Sequence, residues 1–329
     1  MRKTLVFLML VLLAASLNMA YAGSDRRLGT AGAQELRIPI GARGTALGGA
    51  VTANVSGVES IYWNPAGLAN FEGTEALFSH QPYLADIDIN FVGVATNIQD
   101  FGTLGAAAKI VSIGEMEETT DQFPDGTGRV FSPSLAVLSL SYARTLTYNV
   151  TFGATGMYIN EKIFEVSASG VAFDVGFIYR PDWHGVALGM VIKNYGPEMN
   201  FSGRGFDQVL GQRPVRPISS SFDLPSSFNL GMSFDFLSRG MNLATVSGNF
   251  CSNNYSEDLW QGGLEYSYDG KYFLRAGYNY SQQEDYIYGF SLGGGLTLNI
   301  GNTDVTFEYS WTETEVFDNN QYFTGRINF

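Results

Sequence analysis

The feature that most constrains this chain is a hydropathy period of two residues that recurs from Gly73 to its last residue. Phe228, Leu230, Met232, Phe234 and Phe236 alternate with Asn229, Gly231, Ser233 and Asp235. Val171, Phe173, Val175, Phe177 and Tyr179 alternate with Ala172, Asp174 and Gly176, and Val305, Phe307, Tyr309 and Trp311 with Thr306, Glu308 and Ser310. Successive side chains of an extended strand point to opposite faces, so each run is a strand with one oily and one wet side. The final run repeats the pattern: Phe323, Ile327 and Phe329 share a face with Gly325, while Tyr322, Thr324, Arg326 and Asn328 share the other.

The period predicts strands over 73–81, 86–98, 102–113, 130–145, 149–161, 167–180, 185–195, 223–237, 240–252, 257–268, 271–282, 286–300, 303–314 and 320–329. Their lengths suit a tilted crossing of a bilayer, and an even number of strands brings both ends to one side. The connections support this arrangement. Those at 99–101, 146–148, 181–184, 238–239, 269–270 and 301–302 are short, whereas the intervening ones include the long Gly114–Arg129 and Gly196–Phe222. A soluble sandwich would need two amphipathic sheets and no such asymmetry. After the first residues no run is long and apolar enough for a membrane helix, and only helices and closed barrels satisfy every backbone polar group in lipid. The expected fold is all-β: a transmembrane up-and-down antiparallel β-barrel of about 14 strands.

Composition agrees. Charged residues make up 16% of the 329-residue chain, against roughly 25% in ordinary soluble domains, and aromatics make up 14%. Tyr179, Trp183, Trp260, Tyr268, Tyr272 and Tyr280, near strand ends, suit interfacial girdles. The formal charge of −13 disfavours nucleic acid as a partner.

Arg2 and Lys3, the apolar run Leu5–Leu17 and the small-x-small Ala20-Tyr21-Ala22 predict a cleaved signal peptide over 1–22. Residues 23–72 form an amino-terminal segment of another character, and 73–329 the barrel. The segment contains Gly41-Ala42-Arg43-Gly44-Thr45-Ala46-Leu47-Gly48-Gly49-Ala50 and Val58-Glu59-Ser60-Ile61-Tyr62-Trp63-Asn64-Pro65-Ala66-Gly67-Leu68-Ala69. Its small residues suit close packing inside a lumen, and Pro65 suits the first position of a short helix. A phosphate-binding reading fails because no strand precedes the glycines and no Walker lysine follows.

This stretch resembles the amino-terminal region of the PorV/PorQ family of outer-membrane proteins, in which a Gly-Ala-Arg…Met-Gly-Gly-Ala…Tyr-Trp-Asn-Pro-Ala-Gly-Leu run precedes a barrel; Leu47 stands where methionine is common. Asn64-Pro65-Ala66 also resembles the hatch motif of FadL-type transporters, whose barrel has a lumenal plug. The resemblance covers residues 36–69 and is diffuse beyond them. It implies a hatch carried by Tyr62, Trp63, Asn64, Pro65, Ala66 and Gly67, with Asn64–Gly67 either a plug tip that gates or a turn that anchors the segment to the wall. Separately, the last strand resembles the closing strand of bacterial outer-membrane β-barrels, which implies that Phe329 is the aromatic signal closing the barrel.

No catalytic residues are expected. His80 and His184 are the only histidines and match no ligand pattern, and no Ser, His and Asp set places a nucleophile beside a base; neither metal nor cofactor is expected. Cys251 has no partner for a disulfide. Asp174, Arg180, Asp235, Glu265, Arg275, Glu308 and Arg326 fall on wet faces, where they either hold the hatch by ion pairs or line a substrate path. The acidic stretch Glu115, Glu117, Glu118, Asp121 and Asp125 reads as a solvated loop.

The resemblance implies a non-enzymatic protein in the bacterial outer membrane, in contact with lipid and lipopolysaccharide. Its main reading is a component of type IX-like protein secretion that meets exported cargo or secretion proteins through outer loops, Arg204, Arg213 and Arg216 among them. The alternative is a FadL-like transporter of hydrophobic small molecules, with an apolar pocket by the hatch and a lateral opening for which Gly293-Gly294-Gly295 offers weakened pairing. A barrel with no cargo stays open as a third.

Overall fold

The computed structural model describes residues 31–83, 87–181, 183, 185–206, 208–210, 213–215, 219–283, 286–315 and 318–329. The signal peptide, His184 and Arg216 lie outside the described residues, as does the side chain of Arg213.

Fourteen long strands form the wall: β1 (Thr74–Pro82), β2 (Asp88–Ile98), β3 (Gly102–Ser112), β4 (Ser134–Thr147), β5 (Val150–Ile163), β6 (Val166–Tyr179), β7 (Val186–Tyr195), β8 (Ser227–Arg239), β9 (Asn242–Asn253), β10 (Leu259–Tyr268), β11 (Tyr272–Ser281), β12 (Tyr288–Ile300), β13 (Thr303–Thr314) and β14 (Asn320–Asn328). Each pairs antiparallel with its neighbours in sequence, and β14 pairs with β1 in the register Phe323↔His80 to Asn328↔Glu75, which closes the barrel. At the seam the Phe329 amide donates to the Thr74 carbonyl at 2.9 Å, and the Thr74 amide donates to the Phe329 carbonyl at 3.3 Å. Closure joins the first and last strands of the sheet, as lipid requires of a spanning sheet.

The wall has an oily outside and a mostly polar inside, the inverse of a soluble core. On β6, Val171, Phe173, Val175, Phe177 and Tyr179 are exposed while Ala172, Asp174 and Ile178 are buried in the lumen. On β8, Phe228, Leu230 and Met232 face out, and Asn229 and Ser233 face in. A belt of this kind around the whole circumference is stable only against hydrocarbon, so the barrel is transmembrane.

Three features differ from the expected plan. First, β5 and β6 run on into a tight hairpin at Phe164–Glu165, with Phe164 at φ 53°, so the end that carries long connections also carries one short one. Second, Gly293, Gly294 and Gly295 pair on both sides, with Ser310, Tyr309 and Glu308 of β13 and with Arg275, Leu274 and Phe273 of β11. That triplet is therefore not a weak point of the ladder. Third, the irregular place is β6–β7. Their ladder begins only at Phe173↔Tyr195 and shifts register before Val175, whereas the upper end of β6 pairs at 166–168 with a short strand, Phe201–Gly203, from the following loop. Asn194 sits at this bulge with φ 56°, and its amide donates to Asp174 Oδ1 at 2.6 Å, so a side chain supplies the acceptor that the broken ladder lacks.

Residues 31–72 lie inside the barrel. They form a 3₁₀ turn (Gln34–Arg37), helix α1 (Ala42–Ala46), helix α2 (Ser60–Trp63) and a second 3₁₀ turn (Pro65–Asn70). Elements this short are not stable alone, and they depend on the surrounding wall.

Candidate functional site

The lumenal segment meets the wall where the wall has no side chains. Gly263, Gly277 and Gly293, on β10, β11 and β12, lie against Leu47, the Leu47–Gly48 backbone and Ala46. Gly189 and Gly231, on β7 and β8, lie against Thr52–Ala53. Gly176 of β6 faces the Asn64 side chain, Gly153 of β5 faces the Pro65–Ala66 backbone, and Gly93 and Gly105 of β2 and β3 face Val58 and Ile61. At each position a Cβ would stand at or inside contact distance, so nine of the fourteen strands give up a side chain to seat the segment.

Asn64–Gly67 are buried in this seat, and Tyr62 and Trp63 are half-buried at its edge. Asn64 caps the second 3₁₀ turn: its Oδ1 accepts from the Ala66 amide at 3.2 Å, and Pro65 occupies the first position, where a missing N–H costs nothing. The Asn64 amide donates to the Thr52 carbonyl at 2.8 Å and to the Phe177 carbonyl of β6 at 3.4 Å. Asn64, Pro65, Ala66 and Gly67 are thus buried and packed against the wall. Val58, Ile61 and Leu68 complete it by packing on Leu77, Phe91, Ala95, Ala107 and Ala143.

Across the lumen the contact is ionic. Arg43 of α1 forms two hydrogen bonds to Glu265, both at 3.1 Å; Arg275 bridges Glu265 at 2.6 Å and Glu308 at 2.9 Å; Arg326 reaches Glu308 at 3.2 Å and Glu59 at 3.5 Å. Glu75 of β1 accepts from the Val58 amide at 2.7 Å. Of the seven wet-face charges read from the sequence, Glu265, Arg275, Glu308 and Arg326 come together here. Asp174 is at the β6–β7 bulge, while Asp235 accepts from Thr245 at 2.6 Å and has Arg180 near it at the short-turn end. Arg43, Glu59 and Glu75 were not singled out in the sequence, although Arg43 lies in the Gly-Ala-Arg run. Burial pushes the Glu59 carboxyl up to about 7 against the pull of Arg326.

A second buried group lies toward the long connections. Lys109 of β3 donates to the carbonyls of Glu35 and Ile38, and Glu35 faces Glu161 of β5. Burial, reinforced by the Glu161 charge, pushes the Glu35 carboxyl up to about 8. Tyr62 lies between the two lysines of this region: Lys109 Nζ is 5.0 Å and Lys193 Nζ 3.7 Å from its ring centroid. Its hydroxyl donates to the Arg37 carbonyl at 3.1 Å, and burial holds that hydroxyl well above its usual pKa.

On this side of the lumenal segment is a cavity of about 490 Å³. Its floor includes Ile38, Pro39, Tyr62 and Trp63; its roof is formed by Tyr83, Tyr255, Tyr286 and Tyr288; its wall bears Asn229, Asn249, Gln261 and Asn279. The expected apolar pocket beside the hatch is therefore aromatic on two sides and amide-lined on a third. Cys251 is buried at its edge and donates to Asn253 at 3.1 Å.

No protein-family model and no curated protein sequence matches the chain. Solved structures do match in fold. The CymD monoaromatic hydrocarbon channel aligns with a TM-score of 0.56 at 14% identity, over 88% of this chain and 96% of that one. The Ralstonia pickettii toluene transporter TbuX aligns at 0.55 and 16%, over 88% and 98%, and a Pseudomonas aeruginosa FadL homologue at 0.54 and 13%, over 88% and 98%. The chain thus has the FadL-like barrel fold.

Proposed function

We propose that this protein is an outer-membrane channel for small molecules, that it is not an enzyme, and that residues 31–72 act as its plug. The observation that carries the reading is the 490 Å³ cavity, which stands on a lumen-filling segment inside a barrel with an apolar outer belt. The fold shared with hydrocarbon channels and a FadL homologue supports it. The Asn64–Gly67 joint anchors the plug, and the ion pairs from Arg43 and Glu59 hold its other side. The β6–β7 discontinuity is the part of the described wall best suited to lateral passage, since residues 169–172 of β6 pair with neither β7 nor the short strand from the loop.

The test is flux. Proteoliposomes containing the protein are expected to take up toluene or another small organic solute faster than empty liposomes; equal rates overturn the proposal. A second reading, a PorV/PorQ-type role in protein secretion, rests on the Tyr62-Trp63-Asn64-Pro65-Ala66-Gly67-Leu68 run. It requires that deleting the gene impair export of carboxy-terminally tagged proteins, and unchanged export eliminates it.

A further inference from the structure

The lining of the cavity specifies more than hydrophobicity. None of its described lining residues is Asp or Glu, yet both Arg37 and Lys193 border it, in a chain whose formal charge is −13. Lys193 is the telling group. It is 9% exposed, and among the described residues its ammonium makes neither a hydrogen bond nor an ion pair; its close neighbours are the faces of Tyr62 and Trp63, with centroids 3.7 and 5.7 Å away. The Asp174 carboxylate attracts it from beyond ion-pair distance and is already occupied by the Asn194 amide. A buried cation held between rings and facing a cavity lacks only an anion.

The wall beside it supplies hydrogen bonds. Asn249 donates to Gln261 at 2.6 Å and Gln261 to Asn279 at 3.1 Å, a ladder of amides across β9, β10 and β11, and Asn249 Oδ1 is buried with no partner among the described residues. Floor and roof supply aromatic faces and phenolic hydroxyls, with the Tyr83 and Tyr288 hydroxyls 2.7 Å apart. The cavity is several times the roughly 150 Å³ that accommodates a benzene ring, so a substituted ring fits. A hydrocarbon placed there would strip water from Lys193 and the amides and give nothing back.

We propose that the cavity receives a small aromatic carboxylate that carries a further hydrogen-bonding group, with its carboxylate on Lys193, its polar substituent on the amide ladder and its ring against the tyrosines. This rests on the channel reading and names the solute class for the same cavity.

The experiment uses the purified full chain and the fluorescence of Trp63, the one tryptophan among the described lining residues. Titration with 4-hydroxybenzoate is expected to show at least ten-fold tighter binding than titration with toluene. Lys193→Gln is expected to weaken 4-hydroxybenzoate about ten-fold without weakening toluene, and Lys193→Arg to restore the loss. Equal or tighter binding of toluene, binding of neither probe, or an unchanged affinity in Lys193→Gln overturns the inference. Heat-modifiable migration reports whether each variant folds; if Lys193→Gln does not, the ranking of the two probes on the unmodified protein decides. Toluene flux through proteoliposomes without 4-hydroxybenzoate selectivity defeats this inference alone, whereas flux of neither solute defeats the channel reading beneath it.

Discussion

Two arcs of the wall hold the lumenal segment by opposite means. Along β2, β3, β5 and β6 the joint is made of absences: glycines and alanines let Val58, Ile61, Asn64, Pro65 and Ala66 approach the strand backbone. Along β1, β10, β11, β13 and β14 charges dominate, with Arg43, Arg275 and Arg326 against Glu59, Glu75, Glu265 and Glu308, beside the two seats Gly263 and Gly277 on β10 and β11. The close-packed arc gains from contact and from excluding water, so it tolerates no added volume. The ionic arc gains only while its members stay paired, because each has already lost its hydration. One arc should therefore fail by overpacking and the other by deletion.

The largest effect is expected from Arg326→Met, which leaves Glu59, Glu75 and Glu308 without a shared counter-charge. Breaking a buried network of this kind costs about 3–5 kcal/mol, read as a lowered midpoint in denaturant unfolding followed by gel migration. Next comes Gly153→Val. A Cβ there meets the Pro65–Ala66 backbone, which cannot swing aside as a side chain would, and overpacking of this sort costs about 1–3 kcal/mol or more. On the proposal that residues 31–72 plug the lumen, the same variant should also raise ion conductance in planar bilayers.

A smaller and graded effect is expected from pH. The folded protein raises the Glu35 carboxyl from 4.5 to about 8, so folding favours its protonated form. The stability this confers on residues 31–38 is complete below about pH 4.5 and lost as pH rises through about 8, with Glu161 opposing ionisation and Lys109 favouring it. The protection factors of those amides, measured relative to base-catalysed intrinsic exchange, should therefore fall above neutral pH, and Glu35→Gln should remove that fall. The smallest change is expected for Gly262→Ala on β10. Its missing Cβ faces open space, so a shift within about 0.5 kcal/mol separates the seated glycines from the incidental ones.

How far each arc was legible in the sequence follows from the same physics. Strand positions and the closed barrel came from the period-two pattern, because lipid outside and polar groups inside are separated residue by residue. Glu265, Arg275, Glu308 and Arg326 stood out because ionisable residues are rare on strands of this kind. The glycine seats did not, since a glycine facing a partner and one facing lipid look alike until the register with the lumenal segment is known: Gly262 and Gly263 are adjacent, and only the second is occupied by Leu47. Gly293–Gly295 misled for that reason. Gly293 is small because Ala46 presses on it, not because its ladder is weak. The β6–β7 bulge was hidden because it depends on Asn194 adopting φ 56°, a backbone choice without a hydropathy signature. Lys193 reads in the sequence as one cation in a strand, and what sets it apart is that among the described residues no carboxylate lies within ion-pair distance of it.

The glycine seats also fix an order of events in time. A segment that packs against nine strands cannot be threaded through the mouth of a finished cylinder, because the strands grip it from most of the circumference at once. The wall must curl around the segment while it is still an open sheet. The pairing of Asn320–Asn328 with Thr74–Pro82 is then the last step, taken when the contents are already in place.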